Sequence, residues 1–199
     1  MKIKWIFDRA ASFFGLILLS PILILIAIVI KLTDVKNPVF FKQLRIGQYG
    51  RPFHLYKFRT MRPNQAEPRS GSFVTVAGDR RITRVGPFLR KYKLDELPEL
   101  WNVLKGDMSF VGPRPDVPGY ADRLEGADRR ILDVKPGITG PASIKYRSEE
   151  EMLSHVADPL EYNDTVVWPD KVRINLEYLD KRSFFGDLCI IFKTIGIIR

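Results

Sequence analysis

A mainly helical α/β chain is predicted, with one apolar membrane element at the amino terminus joined to a small compact domain of short strands and amphipathic helices. Three observations carry this. Phe14–Leu32, FGLILLSPILILIAIVIKL, is apolar but for Ser20, Pro21 and Lys31. From Lys42 onward the pattern breaks into short alternating or helix-periodic stretches punctuated by Pro and Gly. A length of 199 residues suits one domain plus a membrane element and is short for two domains with a separate anchor. The expected division is residues 1–36 for the membrane helix with its Ser-Pro kink and 37–199 for the catalytic domain with interfacial helices.

The apolar segment comes first. A straight helix over it would reach roughly 30 Å at about 1.5 Å per residue, the thickness of a bilayer's hydrocarbon core. Between Arg9 and Lys31 lie 21 uncharged residues, longer than a signal-peptide core and without a cleavage pattern, so the segment is expected to stay attached. Pro21 offers no N–H to the Ile17 carbonyl, and the Ser20 hydroxyl can bond back to Leu16, so a bend is expected there. Lys2, Lys4 and Arg9 on one flank face Lys31, Lys36, Lys42 and Arg45 on the other, and the positive-inside rule chooses no orientation. A kinked span, a re-entrant hairpin with both flanks against anionic lipid, and a buried helix all remain open on these residues.

Pro52–Met61, PFHLYKFRTM, alternates as a strand, with Leu55, Lys57 and Arg59 on one face and His54, Tyr56 and Phe58 on the other. Two cations about 7 Å apart on one face either hold an anion or lie on a solvated edge. Arg62–Ser72 reads as an exposed loop. Gly86-Pro87 opens a helix bearing Phe88, Leu89 and Tyr92 beside Arg90, Lys91 and Lys93. A second helix is expected from Asp95 as N-cap, with Pro98 in its first turn, a stripe of Leu97, Leu100, Trp101 and Leu104, and Gly106 as its stop. Asp95 and Glu96 would then lie at the positive end of a helix among cations, a setting that favours ionised carboxylates and also binds phosphate. Such a pair can coordinate Mg²⁺ or attack phosphorus; it can also be only a cap and a first turn.

GPRP, Gly112–Pro115, holds Arg114 between two prolines, either poised for phosphate or in a stiff solvated turn. KPGITGP, Lys135–Pro141, is a second Pro/Gly turn with a lysine, weak alone. Glu149–Asp170 reads as acidic and turn-rich, with no evident chemistry. Val172, Leu176 and Leu179, then Phe184, Phe185, Leu188, Ile191 and Phe192, recur at helical spacing and suit core packing or a membrane surface.

Net charge is +9, which points to an anionic partner: nucleic acid, acidic lipid or a phosphorylated substrate. Cys189 is the only cysteine, which rules out an intramolecular disulfide, and the two histidines, His54 and His155, make a zinc site an unpromising reading.

In order along the chain, Ser20-Pro21, YKFRTM (Tyr56–Met61), LDELPELWNVLKGDMSFVGPRP (Leu94–Pro115), KPGITG (Lys135–Gly140) and DKRSFFGDLCIIFKT (Asp180–Thr194) resemble the bacterial sugar transferases called monotopic phosphoglycosyl transferases. The resemblance implies a re-entrant Ser-Pro helix in the bacterial inner membrane, with the catalytic domain on its cytoplasmic face. It places the family's catalytic and metal-binding dyad on Asp95 and Glu96. Asp95 would be the nucleophile that takes a phosphosugar from a UDP-sugar, releases UMP and passes it to a polyprenyl phosphate, with Mg²⁺ required. Candidates to hold phosphate or nucleotide are Lys57, Arg59, Arg90, Arg114 and Lys135. Expected partners are the UDP-sugar, the polyprenyl phosphate and membrane lipid, without nucleic acid; a homodimer stays open. The alternatives are direct glycosyl transfer with UDP release, and a basic membrane-attached binding protein. Many members follow the ITG turn with Trp-Ala-Gln-Val-Asn-Gly-Arg where this chain reads PASIKYR (Pro141–Arg147), and Asn175 stands where a family aspartate precedes Tyr178. Both differences bear on the sugar rather than on the dyad.

Overall fold

A computed structural model describes residues 2–62 and 81–197. The expected exposed loop at Arg62–Ser72 lies, beyond Arg62, outside them. The described elements are mostly helical: α1 (Lys2–Thr33), α2 (Gly86–Lys91), α3 (Glu99–Lys105), α4 (Pro141–Lys145), α5 (Glu149–Ser154), α6 (Pro159–Tyr162), α7 (Trp168–Lys181) and α8 (Phe184–Thr194). Two small sheets accompany them, β1 (Phe40–Ile46) with β2 (Pro52–Phe58), and β3 (Ser109–Val111) parallel to β4 (Gly137–Thr139). The residues cluster in two compact units. The first runs from α1 to Leu44, resumes at His54 and ends at Gly106; the second holds Arg45–Phe53 and the chain from Asp107 onward.

In the first unit, α1 is long and apolar enough to cross a membrane, and most of its side chains are exposed. Ile17, Leu18, Leu25 and Leu32 are each more than half exposed, which in water would be costly and in lipid is not. The Ser20 hydroxyl donates to the carbonyl of Ile17 at 2.7 Å, three residues back, and not to Leu16. That carbonyl is the one Pro21 leaves without a donor, so the serine repairs the bond its neighbour removes. One stripe of α1 is covered: Ile26 and Ile30 join Phe58 and Leu89 in a core completed by Leu23, Val39, Leu94 and Leu97. Asn102 ties α3 to β2, donating to His54 O at 2.7 Å and accepting from Tyr56 N at 3.1 Å, while fully buried.

α3 departs from the expected stripe at Trp101. Its buried residues are Glu99, Leu100, Asn102 and Val103, whereas Trp101 is 50% exposed. Leu97 and Leu100 do face the core as expected; Glu99, Asn102 and Val103 extend the buried face to one side, and Trp101 falls outside it. Gly106 does close it, at φ +93°.

In the second unit, Ile46, Ala121, Ile131, Leu132 and Val172 form the core, with Trp168 and Leu176 packed against it. The segment Glu149–Asp170, expected to be turn-rich, is largely helical, and Asp158 caps α6 within it by accepting from the N–H groups of Leu160 and Glu161 at 3.0 and 2.9 Å. Val172 packs as expected, but Phe185 and Phe192 of α8 are exposed and its one buried residue is Asp187, which accepts from Tyr178 at 2.7 Å. The α8 aromatics thus suit a surface better than a core.

Candidate active site

Three short pieces of the first unit converge on Asp95. α2 ends where Lys93 takes φ +55°, a left-handed conformation that turns the chain into a 3₁₀ segment, Leu94–Glu96. Asp95 is not an N-cap. Pro98 occupies that position before α3, and no side chain caps the helix. A proline can begin a helix unaided because its fixed φ and missing N–H cost nothing there. The Asp95 carboxylate is therefore not spent on backbone N–H groups.

Asp95 is 8% exposed and its Oδ1 has no hydrogen-bond partner. Burial pushes its carboxyl above the ordinary range; Lys57 opposes this, Glu96 adds to it, and Arg90 and Lys93 oppose it in turn. Lys57, from β2, donates to Glu96 Oε1 at 2.8 Å and lies 3.3 Å from Glu99 Oε1. Glu99 is 1% exposed. Contrary to the setting the sequence suggested, ionisation of Asp95 is disfavoured by its burial and only partly restored by the three cations, and two more carboxylates share the ammonium of Lys57.

Of the sequence candidates, Lys57 and Arg90 come to the dyad and Arg59 goes elsewhere. β2 ends at Phe58, so the two-residue alternation that would have put Arg59 beside Lys57 stops one residue early. Arg59 is buried, donating from Nε to Pro38 O at 2.6 Å and from Nη1 to Asp34 Oδ2 at 2.7 Å, which secures the strand to the chain just after α1. Glu99 and Asp34 were missed. The only local hint was that Glu99 follows Glu96 by three residues.

Arg114 and Lys135 belong to the second unit, where pairing of β3 with β4 brings their motifs side by side. Gly112 N donates to Thr139 O at 3.0 Å and Gly137 N to Pro113 O at 2.8 Å. KPGITGP, weak in isolation, is the partner strand of GPRP. The half-buried Asp116 follows, among Lys171, Arg45, Arg114 and Glu149. Burial raises its carboxyl to about 7, against the pull of Lys171, Arg45 and Arg114 and with Glu149 adding to it. The folded state therefore holds a proton that the unfolded state has lost, and stability falls as pH rises from about 4 to about 7. Asp116→Asn is expected to be the more stable protein at pH 8, by on the order of 2 kcal/mol after allowance for its partial exposure, and equal to wild type near pH 4. Thermal unfolding of both proteins across that range checks this; equal curves at pH 8 would refute it.

The donor set at the dyad fits a hard divalent cation. Among the described residues no group of three or more metal-ligating side chains comes together. One orphaned buried carboxylate oxygen beside a second carboxylate is what Mg²⁺ uses when substrate phosphates and water complete its shell.

Comparison with known proteins bears on the whole chain. The family described as bacterial sugar transferase matches residues 1–199. A Bacillus subtilis protein named uncharacterized sugar transferase EpsL is 38% identical over 195 residues, covering 98% of this chain and 86% of the relative. The Rhizobium meliloti exopolysaccharide production protein ExoY is 34% identical over 205 residues, covering 96% and 83%. A Klebsiella pneumoniae UDP-glucose:undecaprenyl-phosphate glucose-1-phosphate transferase is 38% identical over 199 residues, covering 98% of this chain but 40% of that longer protein.

Proposed function

The chain belongs to the bacterial sugar transferase family, and from that premise we propose that it moves a sugar 1-phosphate from a UDP-sugar to undecaprenyl phosphate, the step that begins polysaccharide assembly. Asp95 attacks the phosphorus bonded to the sugar; its new O–P bond forms as the P–O bond to UMP breaks. The phosphate of the polyprenol then makes its own bond to that phosphorus, and Asp95 leaves as a carboxylate. The observation that carries this reading is Asp95 itself, whose buried Oδ1 has no partner and whose nearest charges are chiefly cationic. Asp95 and Glu96 would hold Mg²⁺, which when bound offsets the charge of the diphosphate. Arg90, whose charge acts on Asp95, is a cation at the same dyad that would hold phosphate.

The membrane element in this reading bends back at Ser20-Pro21 and keeps both basic flanks on the cytoplasmic face. Covered positions on either side of Pro21 support it, Asp8 and Ser12 before and Ile26 and Ile30 after. Cysteines placed at each end of α1 in a Cys189→Ser background should be labelled from one side only. Opposite-side labelling would refute the hairpin.

Nucleotide release tests the chemistry. With a panel of UDP-sugars, Mg²⁺ and a polyprenyl phosphate, the protein in nanodiscs is expected to release UMP with one or a few of the sugars. Release of UDP would mean that the sugar moves without its phosphate, and the aspartyl intermediate would fall.

A further inference from the structure

Lys57 is shared between two carboxylates that do not have equal prospects. Its ammonium lies 2.8 Å from Glu96 Oε1 and 3.3 Å from Glu99 Oε1. In the reading above Glu96 must turn its carboxylate to a divalent cation, and the ammonium on Oε1 competes with the cation for it. An ammonium released into a site as closed as this one, where Lys57 is 16% exposed and Glu96 13%, would be desolvated and repelled by the incoming ion. Glu99 removes that difficulty. It is on α3, one turn beyond the dyad, almost completely buried, and already within ion-pair distance of the same ammonium.

We propose that Glu99 is a positioning residue that retains Lys57 when Glu96 is given up to the metal, so that the ammonium acts as a stand-in for the cation in the empty dyad and as a fixed neighbour of it in the loaded one. This rests on the metal reading of Asp95 and Glu96. Burying the Glu99 carboxylate carries a desolvation cost that the nearby ammonium helps to offset. The exchange needs only a small movement of Nζ, because both partners are already at contact. With Asp95 and Glu96 holding the ion, the ammonium and Glu99 remain as a matched pair beside it.

The test is direct binding of Mn²⁺, followed by its paramagnetic resonance signal, to the full chain in nanodiscs. Glu99→Gln keeps the shape and hydrogen-bonding reach but releases Lys57 to compete at Glu96, and is expected to weaken Mn²⁺ binding about tenfold, the lower end of what loss of an outer-sphere partner costs. Lys57→Met removes the competitor and is expected to bind Mn²⁺ more tightly than wild type. The double variant decides the route. If Glu99 acts through Lys57, adding Glu99→Gln to Lys57→Met changes binding by less than about twofold, the two effects being non-additive as expected for residues in contact. If the double variant binds about tenfold more weakly than Lys57→Met, Glu99 acts on the ion by its own charge and the inference is overturned. Unchanged binding in Glu99→Gln also overturns it, while leaving the metal reading intact. Absence of saturable Mn²⁺ binding to wild type would remove the metal reading and this inference with it.

Discussion

Asp95→Asn is expected to lose turnover by at least about 10⁴-fold, the scale seen when a nucleophile is removed, while the protein folds as well as before or better. The two halves of this expectation have one cause. Asp95 is buried, with an orphaned Oδ1 and a carboxyl raised by desolvation, so in the resting fold its ionised form is held at a cost that Lys57, Arg90 and Lys93 offset only in part. An amide of the same shape avoids that cost, and Lys57 keeps Glu96 and Glu99 as partners after the change. A melting temperature equal to or above wild type with activity gone is the mark of a group kept for chemistry and against stability. Incubation with a UDP-sugar labelled on the phosphate next to the sugar should leave label on the wild-type chain and none on the variant. Turnover retained by Asp95→Asn, or label on both chains, would end the nucleophile assignment.

Local structure was legible from local signals. Gly86-Pro87 does open α2 and Gly106 does close α3, because a proline's missing donor and a glycine's left-handed backbone act within one turn of themselves. The dyad was legible as a pair but not as a geometry: capping rules placed Pro98 in the first turn of a helix begun at Asp95, whereas Lys93 at positive φ opens a 3₁₀ segment and the helix starts only at Glu99. What could not be read was every contact made across distance in the chain. Lys57 meets Glu96 and Glu99 some forty residues on, and Arg59 finds Asp34 twenty-five residues back. Charge alone proposed that Lys57 and Arg59 act alike. Their partners separate them, one held at the dyad and the other committed to the fold.

The same lesson governs the second unit, where the strongest structural prediction concerns a motif that looked weakest. Gly137→Ala is expected to destabilise the protein by about 3 kcal/mol or more, through overpacking with no room to relax. A Cβ at Gly137 would stand 2.2 Å from Gly112 N, 2.5 Å from Thr139 O and 2.8 Å from Gly112 Cα, all backbone atoms. Side chains can rotate away from such a contact; a strand cannot, because Gly112 N and Gly137 N are already committed to Thr139 O and Pro113 O. The reverse approach is as close, since a Cβ at Gly112 would stand 2.5 Å from Lys135 O, and one at Gly140 would stand 2.4 Å from Gly112 O. Three glycines therefore let GPRP and KPGITG lie backbone against backbone, which is what brings the Arg114 and Lys135 segments together. Gly126→Ala is the control. It has φ +54° but nothing within 4 Å, so it carries only the backbone penalty of about 1 kcal/mol. Thermal unfolding of the two variants should show a drop of roughly 6–12 °C for Gly137→Ala and a few degrees at most for Gly126→Ala. Equal drops would mean that conformational freedom, and not the close approach of the two motifs, is what glycine supplies at residue 137.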